Sequence, residues 1–176
     1  MRTACALALL ALALGCSDTK PQDTGEPLTA EETASMPQIT MAEVNPKLQK
    51  PGGKALLVLL WRAETEATMP TLATADKLAA AHAKAGLEIL ALNIDMPNDV
   101  RQKAMPLLQK AGLSTLKVHA YQDDVMGLGA TLDFLWGGET PAAFLYDRKG
   151  TQVYKGHGKD AFGQAAAKVP GLLAAK

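Results

Sequence analysis

The chain of 176 residues is predicted to fold as an α/β protein: a three-layer sandwich with a central mixed sheet, parallel core strands and a C-terminal hairpin plus helix. Two apolar runs, residues 55–61 and 87–94, have the length and composition of buried strands. The long Ala-rich stretch between them is typical of a crossover helix, which makes the two strands parallel. Near the C-terminus, a tight turn at residues 147–150 separates two strand-like runs and indicates an antiparallel hairpin.

Helices are expected to flank these strands. A short helix over residues 39–49 has Thr40 as its N-cap. The next helix covers residues 65–85, with Thr65 as its N-cap and a kink at Pro70. The later elements are predicted in this order: a helix from Asn98 or Asp99 to Ala111, a strand over 116–121, a helix from Asp123 or Asp124 toward Trp136, hairpin arms over 142–147 and 151–155, a break at 156–158, and a final helix from Asp160 to Lys168 or beyond.

Charge and cysteine content exclude several functions. The 18 basic and 18 acidic side chains cancel, and no block of like charge supports nucleic-acid binding. The only cysteines are Cys5 and Cys16. Residues 17–176 therefore have no disulfide framework, no thiolate metal site and no cysteine nucleophile. The three histidines lack the spacing of metal ligands, so no metal and no cofactor is predicted.

The N-terminus has the pattern of a secretory signal: a positive charge at Arg2 and then eleven apolar residues, 4–14, which is too few to span a bilayer. The segment Leu-Ala-Leu-Gly-Cys that ends at Cys16 resembles a bacterial lipobox. This resemblance implies a signal peptide over 1–15 and lipidation of Cys16, which would anchor the protein to a membrane of the bacterial cell envelope, facing the periplasm or the cell surface. The alternative is an ordinary signal peptide that contains a cysteine.

Residues 16–38 are interpreted as the lipidated cysteine and a polar tether, because they hold few large apolar side chains. As a flexible coil, this stretch would reach roughly 25 Å. Residues 39–176 are then the folded domain.

Three segments, in order, resemble the thioredoxin fold and, within it, the membrane-tethered TlpA-like thiol–disulfide oxidoreductases. GKALLVLLW at residues 53–61 resembles the first core strand of that family, which ends in an aromatic residue. MPTL at 69–72 resembles the segment that follows the active-site motif. TPAAFLYDRKG at 140–150 resembles the cis-proline loop with its strand and turn. The resemblance implies a cis bond between Thr140 and Pro141, in a loop that pairs with the extended backbone of a substrate; the alternative is a purely structural turn.

The chain departs from this family at the active site, where the family has Cys-x-x-Cys. Counting back from Met69-Pro70, the two cysteine positions fall on Arg62 and Thr65; alternatively, the loop has lost about three residues. Thiol–disulfide exchange needs an attacking thiolate and a second sulfur, and both are absent. No catalytic residue is therefore predicted, and hydrolysis by Thr65 with Glu64 as its base is disfavoured. The degenerate active-site positions are Trp61, Arg62, Ala63, Glu64 and Thr65.

The leading hypothesis is that the chain binds or assists a protein or peptide partner, as a holding protein or an assembly factor, through residues 61–65 together with Thr140 and Pro141. Trp61 and Trp136 could flank this surface, although a tryptophan at the end of a strand more often packs in a core. Two alternatives stay open. One is a thiol–disulfide oxidoreductase or antioxidant enzyme that uses the thiols of a partner. The other is a structural domain whose former site has drifted.

Overall fold

A computed structural model describes residues 36–175, and it confirms the predicted α/β sandwich. A mixed sheet of six strands, in the order β1-β4-β3-β2-β5-β6, forms the central layer. The strands are β1 Gln38–Ile39, β2 Ala55–Trp61, β3 Leu87–Asn93, β4 Val118–Tyr121, β5 Ala142–Tyr146 and β6 Gln152–His157. The helices are α1 Met41–Gln49, α2 Thr68–His82 with a 3₁₀ turn over Ala83–Ala85, α3 Pro97–Asp99, a π-helical stretch Val100–Ala104, α4 Met105–Ala111, α5 Val125–Leu132 and α6 Ala161–Ala174.

The central strand β2 organises the sheet. Every residue of β2 is buried, because the strand has a neighbour on each side and helices on both faces. It pairs in parallel with β3, as predicted, and antiparallel with β5. Strand β6 then pairs antiparallel with β5, which confirms the predicted hairpin.

The two faces of the sheet bury separate apolar clusters. Odd-numbered β2 residues such as Leu57 and Leu59 pack with side chains of α2 and α6. Even-numbered residues such as Leu56 and Val58 pack with side chains of α1 and α5. The alternation of side chains along a strand therefore produces the three layers.

Helix α2 begins three residues later than predicted. Its first residue is Thr68, whereas Thr65 lies in a turn and does not cap the helix. Pro70 consequently falls in the first turn, where a backbone N–H would have no intrahelical partner in any case. The expected kink at Pro70 is therefore wrong, because this proline removes no helical hydrogen bond.

Smaller corrections concern the ends of other elements. The helix expected to be capped by Asn98 or Asp99 instead follows Met96, with Pro97 at its first position, which suits proline. Helix α5 is capped by Asp124, as one of the two predicted alternatives, but it ends at Leu132 and does not continue toward Trp136. The break expected at 156–158 is later than predicted, because β6 continues through His157.

The first strand was not predicted. Strand β1 has two residues and pairs in parallel with β4, and Met36 just before it is buried in the core. Met36 and Gln38 therefore belong to the folded body, although the sequence places them in the tether. The predicted signal peptide, Cys16 and most of the tether lie outside the described residues. Within residues 36–175, no helix has the length and apolar character needed to cross a bilayer.

Candidate functional site

Loops from three strands meet at one edge of the sheet. Strands β2 and β3 are parallel, so their C-terminal ends, Trp61 and Asn93, lie side by side, and the N–H of Ile94 donates to the Trp61 carbonyl at 3.1 Å. Strand β5 runs the opposite way and begins at this edge with Ala142. The loop after β2 and the loop before β5 are thereby neighbours, which brings together the two segments that the sequence singled out.

The loop after β2 is a compact turn that leads into α2. The N–H of Thr65 donates to the Arg62 carbonyl at 3.3 Å, and the N–H of Thr68 donates to the Thr65 carbonyl at 2.9 Å. The hydroxyl of Thr68, which is fully buried, donates to the same Arg62 carbonyl at 2.6 Å. These bonds fix the backbone of residues 62–68 without any sulfur.

Asp95, which lies two residues after the end of β3, forms a hydrogen bond to this turn. Its Oδ2 accepts a hydrogen bond from the backbone N–H of Ala63 at 2.8 Å and another from the side-chain amide of Asn93 at 2.7 Å. Neither Asn93 nor Asp95 was predicted to belong to the site. The available signal was a pair of polar residues directly after an apolar strand whose C-terminal end lies beside that of β2.

The turn is also tied to the loop before β5. The hydroxyl oxygens of Thr65 and Thr140 are 2.6 Å apart and share a hydrogen bond. The peptide bond between Thr140 and Pro141 is cis. The carbonyl of Pro141 accepts from the N–H of Gly158 at 2.9 Å, which links the loop to the end of β6. Thr65 and Thr140 are both half-buried, whereas Pro141 is buried.

Neither tryptophan lines the surface, which corrects one of the two interpretations above. Trp61 is fully buried, and its indole N–H has no partner among the described residues. Trp136 is 4% exposed and donates its indole N–H to the carbonyl of Glu139 at 2.8 Å. Both rings therefore belong to the interior.

Of two cationic side chains at this edge, Lys103 forms ion pairs and Arg62 forms none with a described residue. Lys103, from the π-helical stretch, contacts Glu64 at 2.5 Å and Asp99 at 2.7 Å. The hydrogen bonds to Asp99 and Glu64 raise the pKa of the Lys103 ammonium. Arg62 is exposed, and its guanidinium makes no ion pair with a described residue. The loop therefore presents one unpaired cation beside a neutralised carboxylate, and Lys103 is a further residue that the sequence reasoning missed.

This arrangement contains groups that can form hydrogen bonds or ion pairs with a ligand, but it gives the Thr65 hydroxyl no base. The hydroxyl of Thr65, the nucleophile considered above, is hydrogen-bonded to the hydroxyl of Thr140. Glu64, the base considered for it, is instead engaged by Lys103. A nucleophile needs a base within hydrogen-bond reach, so the geometry gives Thr65 no activation. Within residues 36–175, no group of three or more acidic, histidine or cysteine side chains is placed to hold a metal ion.

Known structures with a similar fold are thioredoxin-like proteins. One is a thiol:disulfide interchange protein of the thioredoxin family from Chlorobium tepidum TLS, with a TM-score of 0.56 and 14% identity over 73% of this chain and 84% of that chain. Another is the thioredoxin domain of a thiol-disulfide oxidoreductase from Bacteroides vulgatus, with a TM-score of 0.51 and 19% identity over 70% and 82%. A third is a thiol:disulfide interchange protein from Bacteroides sp., with a TM-score of 0.50 and 20% identity over 67% and 74%.

The TM-scores show likeness of fold, and at these low identities the comparison shows the fold alone. The chain is thioredoxin-like in architecture, as its sequence segments indicated. No protein-family model matches the sequence, and no curated protein matches it.

Proposed function

We propose that this protein is a redox-inactive, thioredoxin-like lipoprotein of the bacterial cell envelope that binds a protein partner through its former active-site surface. We call this surface the docking surface; it consists of residues 62–65 and 140–141. The partner would present an extended segment to the loop before β5, and lipid on Cys16 would hold the protein at the membrane.

One observation supports the proposal: hydrogen bonds hold the two loops together although neither loop contains a cysteine. Asp95 holds the Ala63 N–H, and Thr65 is hydrogen-bonded to Thr140. Tertiary contacts of this kind keep two loops in a fixed relation, which lowers the ordering cost of binding.

A second candidate is a thiol–disulfide oxidoreductase that borrows thiols from its partner. The activity named for the similar structures favours it. The chemistry opposes it, because exchange proceeds by attack of a thiolate on a disulfide sulfur and this chain has neither in residues 17–176. A protein without cysteine in residues 17–176 can position two reacting partners, but that part of the chain cannot form the mixed disulfide itself.

The test is photo-crosslinking in cells from position 62. Arg62 is chosen because its side chain is exposed and pairs with no described residue, so a photoreactive residue there leaves the Lys103–Glu64 contact intact. The matched control carries the same residue at Lys149, an exposed position in the turn between β5 and β6 at the opposite end of the sheet. A dominant adduct from position 62, missing from position 149 and lost with Thr140→Lys, would support the proposal. Equal or no labelling from both positions would contradict it.

A further inference from the structure

Two methionine residues adjoin the docking surface and are open to solvent. Met96 is 72% exposed and Met69 is 36% exposed. Single exposed apolar side chains are ordinary on protein surfaces, whereas several beside one binding surface indicate contact with another molecule. The position of these two residues relative to the turn over residues 62–65 therefore decides what they can do.

Met96 lies at the β3 side of this turn. It directly follows Asp95, whose carboxylate accepts from the Ala63 N–H at 2.8 Å. The Met96 carbonyl accepts from the Val100 N–H at 3.0 Å, which closes the first turn of the helical segment that begins at α3. The backbone of Met96 is thus held in place on both sides, while most of the residue's surface is in solvent.

Met69 lies at the α2 side of the same turn. It directly follows Thr68, whose hydroxyl donates to the Arg62 carbonyl at 2.6 Å, and it belongs to the first turn of α2. Strands β2 and β3 are paired neighbours, about 4.8 Å apart. Met69 and Met96 therefore stand next to residues that bond to residues 62–65, at the edge of the sheet that carries the docking surface.

The charges on the β3 side of the turn are engaged with one another or with the backbone. Lys103 contacts both Glu64 and Asp99, so these three charges form one group. The carboxylate of Asp95 accepts from a backbone N–H of the turn and from a side-chain amide. A partner that approaches this side would gain little from charged side chains of its own, whereas methionine offers it an apolar contact.

Methionine suits such a contact because its side chain adapts to what it meets. The side chain is unbranched, has three rotatable bonds and carries a polarizable sulfur, so it can follow apolar side chains of different shapes. A surface of this kind favours a segment with apolar side chains and places few demands on their exact identity.

We infer that Met69 and Met96 extend the docking surface, and that the partner's extended segment presents apolar side chains to them. This inference rests on the proposed function, because it names the chemistry of the segment that is bound there. Strands β5, β2 and β3 are consecutive in the sheet, so the loop at Thr140 lies about two strand spacings, roughly 10 Å, from the end of β3. A segment paired with that loop needs about three extended residues to reach Met96.

The experiment measures the yield of the adduct formed in cells from position 62, with the methionines substituted in the same chain. Met69→Gln with Met96→Gln keeps the length of both side chains but makes them polar, and the yield should fall about tenfold. Met69→Leu with Met96→Leu keeps both side chains apolar and should retain most of the yield. The matched control is Met126→Gln, because Met126 is 65% exposed but follows β4, two strand positions from β2. That variant should leave the yield unchanged.

A second measurement uses probes of known composition. The purified full chain in lipid nanodiscs, labelled with ¹³C at the methionine methyl groups, is titrated with two seven-residue peptides. One has valine at its second, fourth and sixth positions and serine elsewhere; the other has aspartate at those three positions. The valine peptide should shift the methyl resonances of Met69 and Met96 and leave that of Met126 in place. The aspartate peptide should shift none of them.

The outcomes separate this inference from the proposed function. An unchanged yield with the two glutamine substitutions, or an equal loss with the two leucine substitutions, would overturn the inference and leave docking at residues 62–65 in place. Absence of any adduct from position 62 in the unaltered chain would contradict both. Failure of the valine peptide to shift Met69 and Met96, or an equal shift of Met126, would also overturn the inference.

Discussion

Thr65 and Thr140 bring their hydroxyl oxygens within 2.6 Å of each other across 75 residues of sequence. This contact joins the turn after β2 to the loop that contains the cis peptide bond. In a catalyst of the resembled family, the first loop would supply sulfur. Here a hydrogen bond between two neutral hydroxyls joins the two loops.

The first prediction concerns this bond. Thr140→Val keeps the shape of the side chain but removes its hydroxyl, leaving the half-buried Thr65 hydroxyl without that partner. We expect a loss of about 1 kcal/mol in the free energy of unfolding and faster amide exchange at residues 65–68. Thr140→Ser, which retains a hydroxyl, should lose less. Chemical denaturation and hydrogen exchange measure both effects, and equal behaviour of the two variants would contradict a role for the hydroxyl.

A second prediction concerns the support of the loop before β5. A Cβ added to Gly129 of α5 would lie 2.4 Å from Cε3 of the buried Trp136 ring. Gly129→Ala should therefore displace the ring and destabilise the fold by about 1–3 kcal/mol. The control is Gly163→Ala in α6, where an added Cβ meets no atom within 4 Å. That variant should instead stabilise the helix by about 0.5–1 kcal/mol. Thermal unfolding distinguishes the two signs.

The third prediction concerns Asp76, which ties α2 to the loop after α4. Its carboxylate accepts from the backbone N–H groups of Ser114, Thr115 and Leu116 and from the Ser114 hydroxyl. Partial burial raises the pKa of the Asp76 carboxyl, but these hydrogen bonds outweigh it and hold the pKa below its usual value. Because the folded-state pKa is lowered, the stabilisation is present above about pH 4 and is lost as the pH falls through the folded-state pKa.

Asp76→Asn should accordingly lower the free energy of unfolding at pH 7, by an amount on the order of 1 kcal/mol after allowance for solvent screening. The difference from the unaltered protein should shrink at pH values below about 4. Glu66→Gln is a suitable control, because Glu66 is exposed and makes no hydrogen bond or ion pair with a described residue. A difference that stays constant with pH would show that the charge of Asp76 is not responsible.

A fourth prediction tests whether the turn over residues 62–65 can accommodate a disulfide bond. The hydrogen bond from the Thr65 N–H to the Arg62 carbonyl closes a four-residue turn. Such turns hold their end Cα atoms less than about 7 Å apart, close to the range that a disulfide spans. In a chain with Cys5 and Cys16 replaced by serine, Arg62→Cys with Thr65→Cys should therefore form an intramolecular disulfide on mild oxidation. Free-thiol titration measures it, and Arg62→Cys alone should keep its thiol.

Much of the fold could be predicted because its central strands are uninterrupted runs of apolar residues. The run of seven buried residues in β2 and the similar run in β3 have no competing interpretation, and the Asp147–Gly150 turn defines the hairpin. The two-residue strand β1 could not be found, because two residues have no periodicity and its pairing with β4 is set by tertiary contacts.

The site could be predicted only in part. The segment resemblance indicated the loops at residues 62–65 and at Thr140, and the structure places these two loops in contact. Its internal contacts did not follow. Thr65 has the residue type of an N-cap, but its hydroxyl bonds to Thr140 from another loop, and a single sequence cannot reveal such a long-range choice. Asp95 and Lys103 were missed for the same reason, since each acts on a loop more than 30 residues away.

The most direct test of the central claim is the rate at which the purified protein reduces a disulfide substrate in the presence of a small-molecule thiol. A chain with Cys5 and Cys16 replaced by serine should give the rate of the thiol alone, because it contains no thiol of its own. Adding Arg62→Cys and Thr65→Cys to that chain should raise the rate, because the turn then holds two thiols. Turnover by the serine-substituted chain above the thiol background would contradict the proposal of a redox-inactive site.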